Sequence, residues 1–154
     1  MNAPNQPQSG LEQARALLTE GRPDKALEVL ARTKDASAAA DNARAVCLMR
    51  MGQAAKAVPI YRALLFGGGV TLRKDAPPAY VANYVTALLL IGNAVDAIDL
   101  LDDLRGPDTP GTTRLRAAVA QWKKSLGLFR RLLLSLSTYT PAKPFVLDFP
   151  AGEA

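Results

Sequence analysis

The sequence lacks histidine and contains a single cysteine, Cys47. Without histidine the chain has neither the usual general base nor the commonest metal ligand of proteins. A single cysteine excludes an intrachain disulfide, a CxxC redox motif and a cysteine-based zinc site, and we expect Cys47 to be a small packing residue. No nucleophile–base pair, metal-ligand set or cofactor-binding loop stands out. The sequence therefore predicts a non-enzymatic protein with no catalytic residue, no metal and no cofactor.

Aromatic residues are also scarce, at nine, whereas alanine occurs 27 times and leucine 23 times in the 154 residues. Alanine and leucine are strong helix formers, so this composition favours an all-α fold of closely packed helices. The length is enough for one domain with a core of its own. The net charge is +5, and between Gly111 and Lys143 all seven charged residues are basic. Such a region attracts acidic partners, nucleic acid or anionic membranes, unless it is simply a solvated face.

The first residues show no signal for export. Met1 to Gly10 contain no Lys or Arg and no apolar run, so residues 1–9 predict a disordered leader. Residues 76–95 are uncharged and long enough to cross a bilayer, but they include Pro77, Pro78 and two asparagines. A buried helix explains that segment better than a membrane span does. With no export signal, the predicted location is cytoplasmic.

Three glycines, Gly21, Gly52 and Gly92, interrupt stretches with helical composition and mark an internal repeat. An alanine follows each glycine by five residues, and a leucine precedes each by four. Glycine lets the chain leave a helix through a left-handed conformation. Alanine then allows the next helix to approach closely. Each copy therefore predicts a helix, a tight turn and a second helix.

The repeat resembles the tetratricopeptide repeat, a family whose unit of about 34 residues forms two antiparallel helices. The resemblance covers residues 8–106 and is carried by Ala14, Leu17, Gly21 and Ala26, by Ala45, Leu48, Gly52, Ala57 and Tyr61, and by Tyr84, Val85, Leu88, Gly92, Ala97 and Leu101. It implies a right-handed helical-hairpin solenoid of three helix pairs within a single domain, residues 10–137.

A further helix is predicted over residues 112–137, after the helix-breaking Gly106–Gly111 segment. One apolar stripe follows its length: Leu115, Ala118, Trp122, Leu126, Phe129, Leu133 and Leu136. A solenoid needs its last apolar face covered, so we expect this long helix to be a cap, with Gly127 as a place where it can split. The prolines of residues 138–154 predict an extended tail, in which Phe145–Phe149 is apolar enough to dock.

The resemblance also predicts the function, because the first helices of such repeats line a concave groove that holds a protein segment. The groove-lining residues would be Leu11, Arg15, Leu18, Asn42, Val46, Met49, Arg50, Asn83, Thr86 and Leu90. The arginines and asparagines among them can hydrogen-bond a peptide backbone or an acidic side chain. We therefore expect a protein–protein interaction scaffold or adaptor whose partner is a protein or peptide segment.

Three alternatives stay open. The basic amphipathic face of helix 112–137 can bind an anionic membrane or nucleic acid, through Trp122, Lys123, Lys124, Phe129, Arg130 and Arg131. The apolar stripe of the same helix can instead form a homodimer. In the third alternative, Phe145–Phe149 occupies the protein's own groove.

Overall fold

A computed structural model describes residues 9–104, 109–127 and 144–154 of the chain. This described part is all-α, with seven helices and no strand. The helices are α1 (Gly10–Thr19), α2 (Pro23–Thr33), α3 (Ala38–Arg50), α4 (Ala54–Phe66), α5 (Pro78–Leu90), α6 (Ala94–Asp103) and α7 (Pro110–Ser125). The all-α prediction from composition is thus confirmed for the described residues.

Local sequence accounts for where the helices begin. Ser9 and Thr109 cap α1 and α7, each accepting a hydrogen bond from the backbone N–H three residues on, and each pairs with that residue in a capping box. Proline begins α2, α5 and α7, where its missing N–H costs nothing because the first helical N–H groups have no partner within the helix.

The three glycines of the repeat end α1, α3 and α5 in the same way. Gly21, Gly52 and Gly92 have φ values of +73°, +74° and +85°, in the left-handed region. At each glycine, its own N–H and that of the next residue bond back to carbonyls in the last turn of the helix, such as Gln53 N to Leu48 O at 2.8 Å. This is the hydrogen-bond pattern of a Schellman motif. The predicted helix–turn–helix of each copy is confirmed.

Helices of each pair pack on one another, and successive pairs pack through α2 with α3 and α4 with α5. The odd-numbered helices also touch, α1 with α3, α3 with α5 and α5 with α7, so they form one layer. The alanines five residues after the glycines, Ala26, Ala57 and Ala97, are completely buried. Their small side chains allow the close helix contacts at which a larger residue would not fit.

The C-terminal helix differs from the prediction. Helix α7 starts at Pro110 and ends at Ser125, and Leu126 follows in an extended conformation with φ −79° and ψ 140°. The predicted helix 112–137 is therefore interrupted at residues 126–127, at the glycine where the sequence allows a split. The side chain of Leu126 is buried although its backbone has left the helix, so the apolar periodicity continues through a change of conformation. Residues 128–143 lie outside the described part of the chain, as do residues 1–8 of the predicted leader.

The uncharged stretch 76–95 contains α5, which has 13 residues. Among the residues that the structure describes, no helix is long and apolar enough to cross a membrane. The last eleven residues, 144–154, contain neither helix nor strand. We call Pro144–Ala154 the tail.

Candidate functional site

The tail lies against the layer of odd-numbered helices, where it contacts side chains of α3, α5 and α7. We call the surface formed by Asn42, Val46, Met49 and Arg50 of α3 together with Asn83 of α5 the groove. Within it the tail is held largely through its own backbone, and the contacts concentrate on three residues, Ala151–Glu153.

Two buried asparagines bind the backbone of Glu153. Asn83 accepts a hydrogen bond from the Glu153 N–H at 2.9 Å and donates one to the Glu153 carbonyl at 2.7 Å. Asn42 donates to the same carbonyl at 2.9 Å. The asparagines are 2% and 3% exposed, and they are joined by a bond from Asn83 Nδ2 to Asn42 Oδ1 at 2.9 Å. Tyr61 completes the network by donating its hydroxyl to Asn42 Oδ1 at 3.2 Å.

Arg50 binds the two residues before Glu153. Its Nε donates to the carbonyl of Ala151 at 3.0 Å, and its Nη2 donates to the carbonyl of Gly152 at 2.9 Å. The third side of the guanidinium donates to the carbonyl of Leu18, at the end of α1, at 2.8 Å. Arg50 is half-buried, and burial lowers its pKa. It is thus a partly desolvated cation whose partners in the described part of the chain are carbonyl oxygens.

Gly152 passes closest to the groove wall. A Cβ at this position would lie 2.7 Å from Met49 Cε, 2.9 Å from Val46 Cγ2 and 3.3 Å from Asn83 Oδ1. The residue also has φ +76°, which non-glycine residues adopt only at a cost. The backbone conformation therefore favours glycine here, and a side chain would also have to displace the methyl group of Val46, whereas the flexible end of Met49 can move aside.

The side chain of Glu153 points towards the start of α7. Its carboxylate lies 3.6 Å from the guanidinium of Arg114 and fills the space where Gly111 has no side chain. A carboxylate at this end of a helix also interacts favourably with the helix dipole. Arg114 additionally lies 5.7 Å from the ring centroid of Phe149, within the range of a cation–π contact.

The start of the tail is anchored by an aromatic pair. Phe145 meets Trp122 of α7 edge to face, with ring centroids 5.9 Å apart, and both residues are buried. The segment between this anchor and the groove packs less completely. Val146 is 77% exposed, while Leu147 and Phe149 are half-buried.

Two clefts flank the tail. The larger, of about 570 Å³, is lined on the helix side by Leu18, Met49, Arg50 and Leu90 and on the tail side by residues 145–147 and 149–151. The smaller, of about 200 Å³, lies between Thr86, Arg114 and the end of the tail. The tail therefore occupies the surface without filling it.

The structure brings together most of the side chains predicted to line a groove. Asn42, Val46, Met49, Arg50 and Asn83 contact the tail directly. Leu18, Thr86 and Leu90 line the flanking clefts. The other two predicted residues are peripheral: Leu11 is half-buried against the core, and Arg15 is exposed.

The predicted basic face is not brought together in the same way. Trp122 is buried against the tail, so its side chain is not on the exposed side of α7. Lys123 is half-buried and Lys124 exposed. Phe129, Arg130 and Arg131 lie outside the described residues.

Sequence reasoning missed the tail residues whose backbone makes most of the polar contacts with the groove. It expected Phe145–Phe149 to dock, and Phe145 does so against Trp122, but the groove itself binds Ala151–Glu153. It also missed Arg114, which was assigned only to a general positive charge. The one local signal in the sequence was Gly152, an isolated glycine close to Pro150, since such residues mark a special backbone conformation.

Burial raises the pKa values of ionisable side chains in the core, among them Cys47 and Tyr61. Burial raises the pKa of the Cys47 thiol to about 11, so the thiol stays protonated near neutral pH. Burial likewise raises the pKa of Tyr61, whose hydroxyl is engaged by Asn42. In the described ranges, no group of three cysteine, aspartate or glutamate side chains is placed to hold a metal ion.

The groove thus holds the backbone of the tail through two amides and one guanidinium. Comparison of the chain with protein-family models, with curated proteins and with solved structures gives no match.

Proposed function

We propose that the protein is a non-enzymatic interaction module that binds an extended segment of a partner protein in its groove. The observation that carries the proposal is the occupied groove: Asn42, Arg50 and Asn83 hold Ala151–Glu153 by hydrogen bonds to backbone atoms. Side chains that bind backbone groups in this way act on any extended segment that can reach them.

The repeat pattern supports the same function. Three copies of a helix–glycine–helix unit, each with the same hydrogen-bonded turn, favour a right-handed solenoid of the tetratricopeptide type. In such an architecture the first helices of the units lie side by side, and α1, α3 and α5 do contact one another in sequence. The polar side chains on α3 and α5 are then the expected location for ligand contacts.

The polar groups of the groove favour a polypeptide backbone as the occupant. With the tail in place, Asn42 and Asn83 are buried, and their amides pair with the N–H and C=O of Glu153. An occupant that covered these amides without supplying such groups would cost about 1–3 kcal/mol for each donor or acceptor left unpaired. An extended segment supplies them, whether it belongs to the tail or to a partner.

The test is selection of phage-displayed random peptides on the immobilised protein, followed by affinity measurement on purified variants. On the Gly152→Val chain, whose weakened tail competes little, the expected result is a peptide whose affinity falls about tenfold or more when Asn83→Ala is added, because two uncharged hydrogen bonds of about 1 kcal/mol each are removed. Arg50→Lys should weaken binding as well, since an ammonium cannot reproduce the fork of a guanidinium.

The matched control is Asn93→Ala, which removes an asparagine in the turn before α6 that bonds only locally to Asp96. It should leave peptide binding unchanged. The selection is repeated on a Gly152→Val chain, in which the tail is weakened. If neither chain yields a peptide whose binding depends on Asn83, the proposed function is wrong.

A further inference from the structure

We propose that the groove selects an extended segment in which glycine is followed by an acidic residue, and that a partner carrying such a segment displaces the tail. The inference rests on the proposed function and adds the chemistry of the ligand to it. The tail is then the protein's own reference ligand, with Gly152 and Glu153 as the selected pair.

Selection for glycine follows from the groove wall. A side chain at the position of Gly152 would place its Cβ under 3.0 Å from both Met49 and Val46. Both contacts come from side chains of α3: the end of Met49 is flexible and can move, whereas the branched Val46 is stiff and stands on a helix that packs on four others. The left-handed φ of +76° adds a second penalty for any residue other than glycine.

Selection for an acidic residue follows from α7. The carboxylate of Glu153 pairs with Arg114 and lies in the space beside Gly111, from which a side chain on α7 would displace it. Because Arg114 and Glu153 are both partly exposed, this pair contributes specificity more than affinity. Arg114 supplies the charge and Gly111 the space for a carboxylate at the distance from the backbone that a glutamate side chain gives.

Displacement follows from how loosely the tail fits. Its middle side chains are exposed or half-buried, and a cleft of about 570 Å³ remains beside Met49 and Leu90. A segment with a bulky apolar residue before the glycine, where the tail has Ala151, would reach that cleft. It would keep every backbone contact of the tail and gain apolar burial.

The experiment uses the full chain and a synthetic peptide of residues 144–154 labelled at its N-terminus, with binding followed by fluorescence anisotropy. The wild-type chain should bind this peptide weakly, because the tethered tail fills the groove. The Gly152→Val chain should bind it at least about tenfold more tightly, since apparent affinity scales with the fraction of empty grooves. A peptide with the same Gly→Val change should not bind either chain.

Two further chains make the result independent of folding problems. Val146→Ala changes an exposed tail residue and should bind the peptide as weakly as the wild type does. Glu153→Arg opposes Arg114 without touching the core, so it should also release the tail and increase peptide binding. Circular dichroism of each variant checks that its helices are intact.

Equal peptide affinity for the wild-type, Gly152→Val and Glu153→Arg chains would overturn the proposal, as would unchanged binding of the Gly→Val peptide. A dimer of the wild-type chain that Gly152→Val abolishes would also overturn it, because the occupant would then be the tail of a second copy. Selected peptides that need Asn83 but lack glycine would refute only this inference and leave the proposed function standing. Loss of every Asn83-dependent peptide would refute both.

Discussion

Replacing Asn83 by alanine is expected to release the tail and to destabilise the protein measurably. The substitution removes three hydrogen bonds, two to the backbone of Glu153 and one to Asn42. Asn42 Oδ1 keeps the hydroxyl of Tyr61, so one of the three losses is partly compensated. At about 1 kcal/mol for each net bond, the free energy of unfolding should fall by roughly 2–3 kcal/mol.

Thermal unfolding followed by circular dichroism measures this effect. For a chain of this length, a loss of about 1 kcal/mol lowers the midpoint by roughly 2–4 °C, so Asn83→Ala should lower it by roughly 4–12 °C. Asn93→Ala is the matched control, because in the described residues its amide bonds only to the exposed Asp96, and its midpoint should change by about 1–2 °C at most.

A double-mutant cycle shows whether the loss arises at the tail. Gly152→Val should also destabilise the protein, since it forces the tail away from Met49 and Val46. Once either substitution has released the tail, the other has fewer contacts left to remove. The double variant should therefore lose about 1–2 kcal/mol less of its free energy of unfolding than the sum of the two single losses. Strict additivity of Asn83→Ala and Gly152→Val would refute the contact between them.

Three other predictions concern the turns, the thiol and the aromatic anchor. Gly52→Ala should cost about 1–2 kcal/mol of stability because φ is +74°, whereas Gly127→Ala should be neutral, as calorimetry can show. Because burial raises the pKa of Cys47 to about 11, the folded state loses stability as pH rises from about 9 to 11, and Cys47→Ala should flatten that part of a denaturation series. Phe145→Ala should shift the emission of Trp122 to the red and expose it to acrylamide; an unchanged spectrum would contradict the anchor.

The parts of the fold that the sequence predicts are those fixed by local chemistry. Gly21, Gly52 and Gly92 each end a helix in a left-handed conformation, because only glycine adopts it without strain and the hydrogen bonds that follow span six residues at most. The repeat is therefore visible without knowledge of any distant contact. The asparagines of the groove were predicted differently, from the resemblance, which places Asn42 and Asn83 on the concave side of the first helices.

The parts that the sequence does not predict depend on distant contacts. The apolar stripe of residues 115–136 continues without a break, yet α7 ends at Ser125. Trp122 instead packs against Phe145, and Leu126 turns into the core from an extended backbone. Hydrophobic periodicity records which side chains are buried but not what covers them, so neither the end of α7 nor the register of the tail follows from it.

Because the tail occupies the groove, the measured affinity of a partner segment is lower than its contacts alone would give. A partner segment does not gain the full free energy of its contacts, because the tail already makes the same backbone bonds with Arg50 and Asn83. A tethered competitor acts at an effective concentration of the order of millimolar. A segment that only reproduces the contacts of the tail would therefore bind weakly.

Tight binding requires contacts that the tail does not make. The cleft beside Leu90 offers apolar burial, at about 0.8 kcal/mol for each methylene group. Arg50 offers an ion pair, because its partners in the described part of the chain are neutral carbonyls and a carboxylate would bind it more strongly. If peptides selected on the wild-type chain carry neither a bulky apolar residue nor an additional acid before the glycine, the tail does not compete with partner segments for the groove.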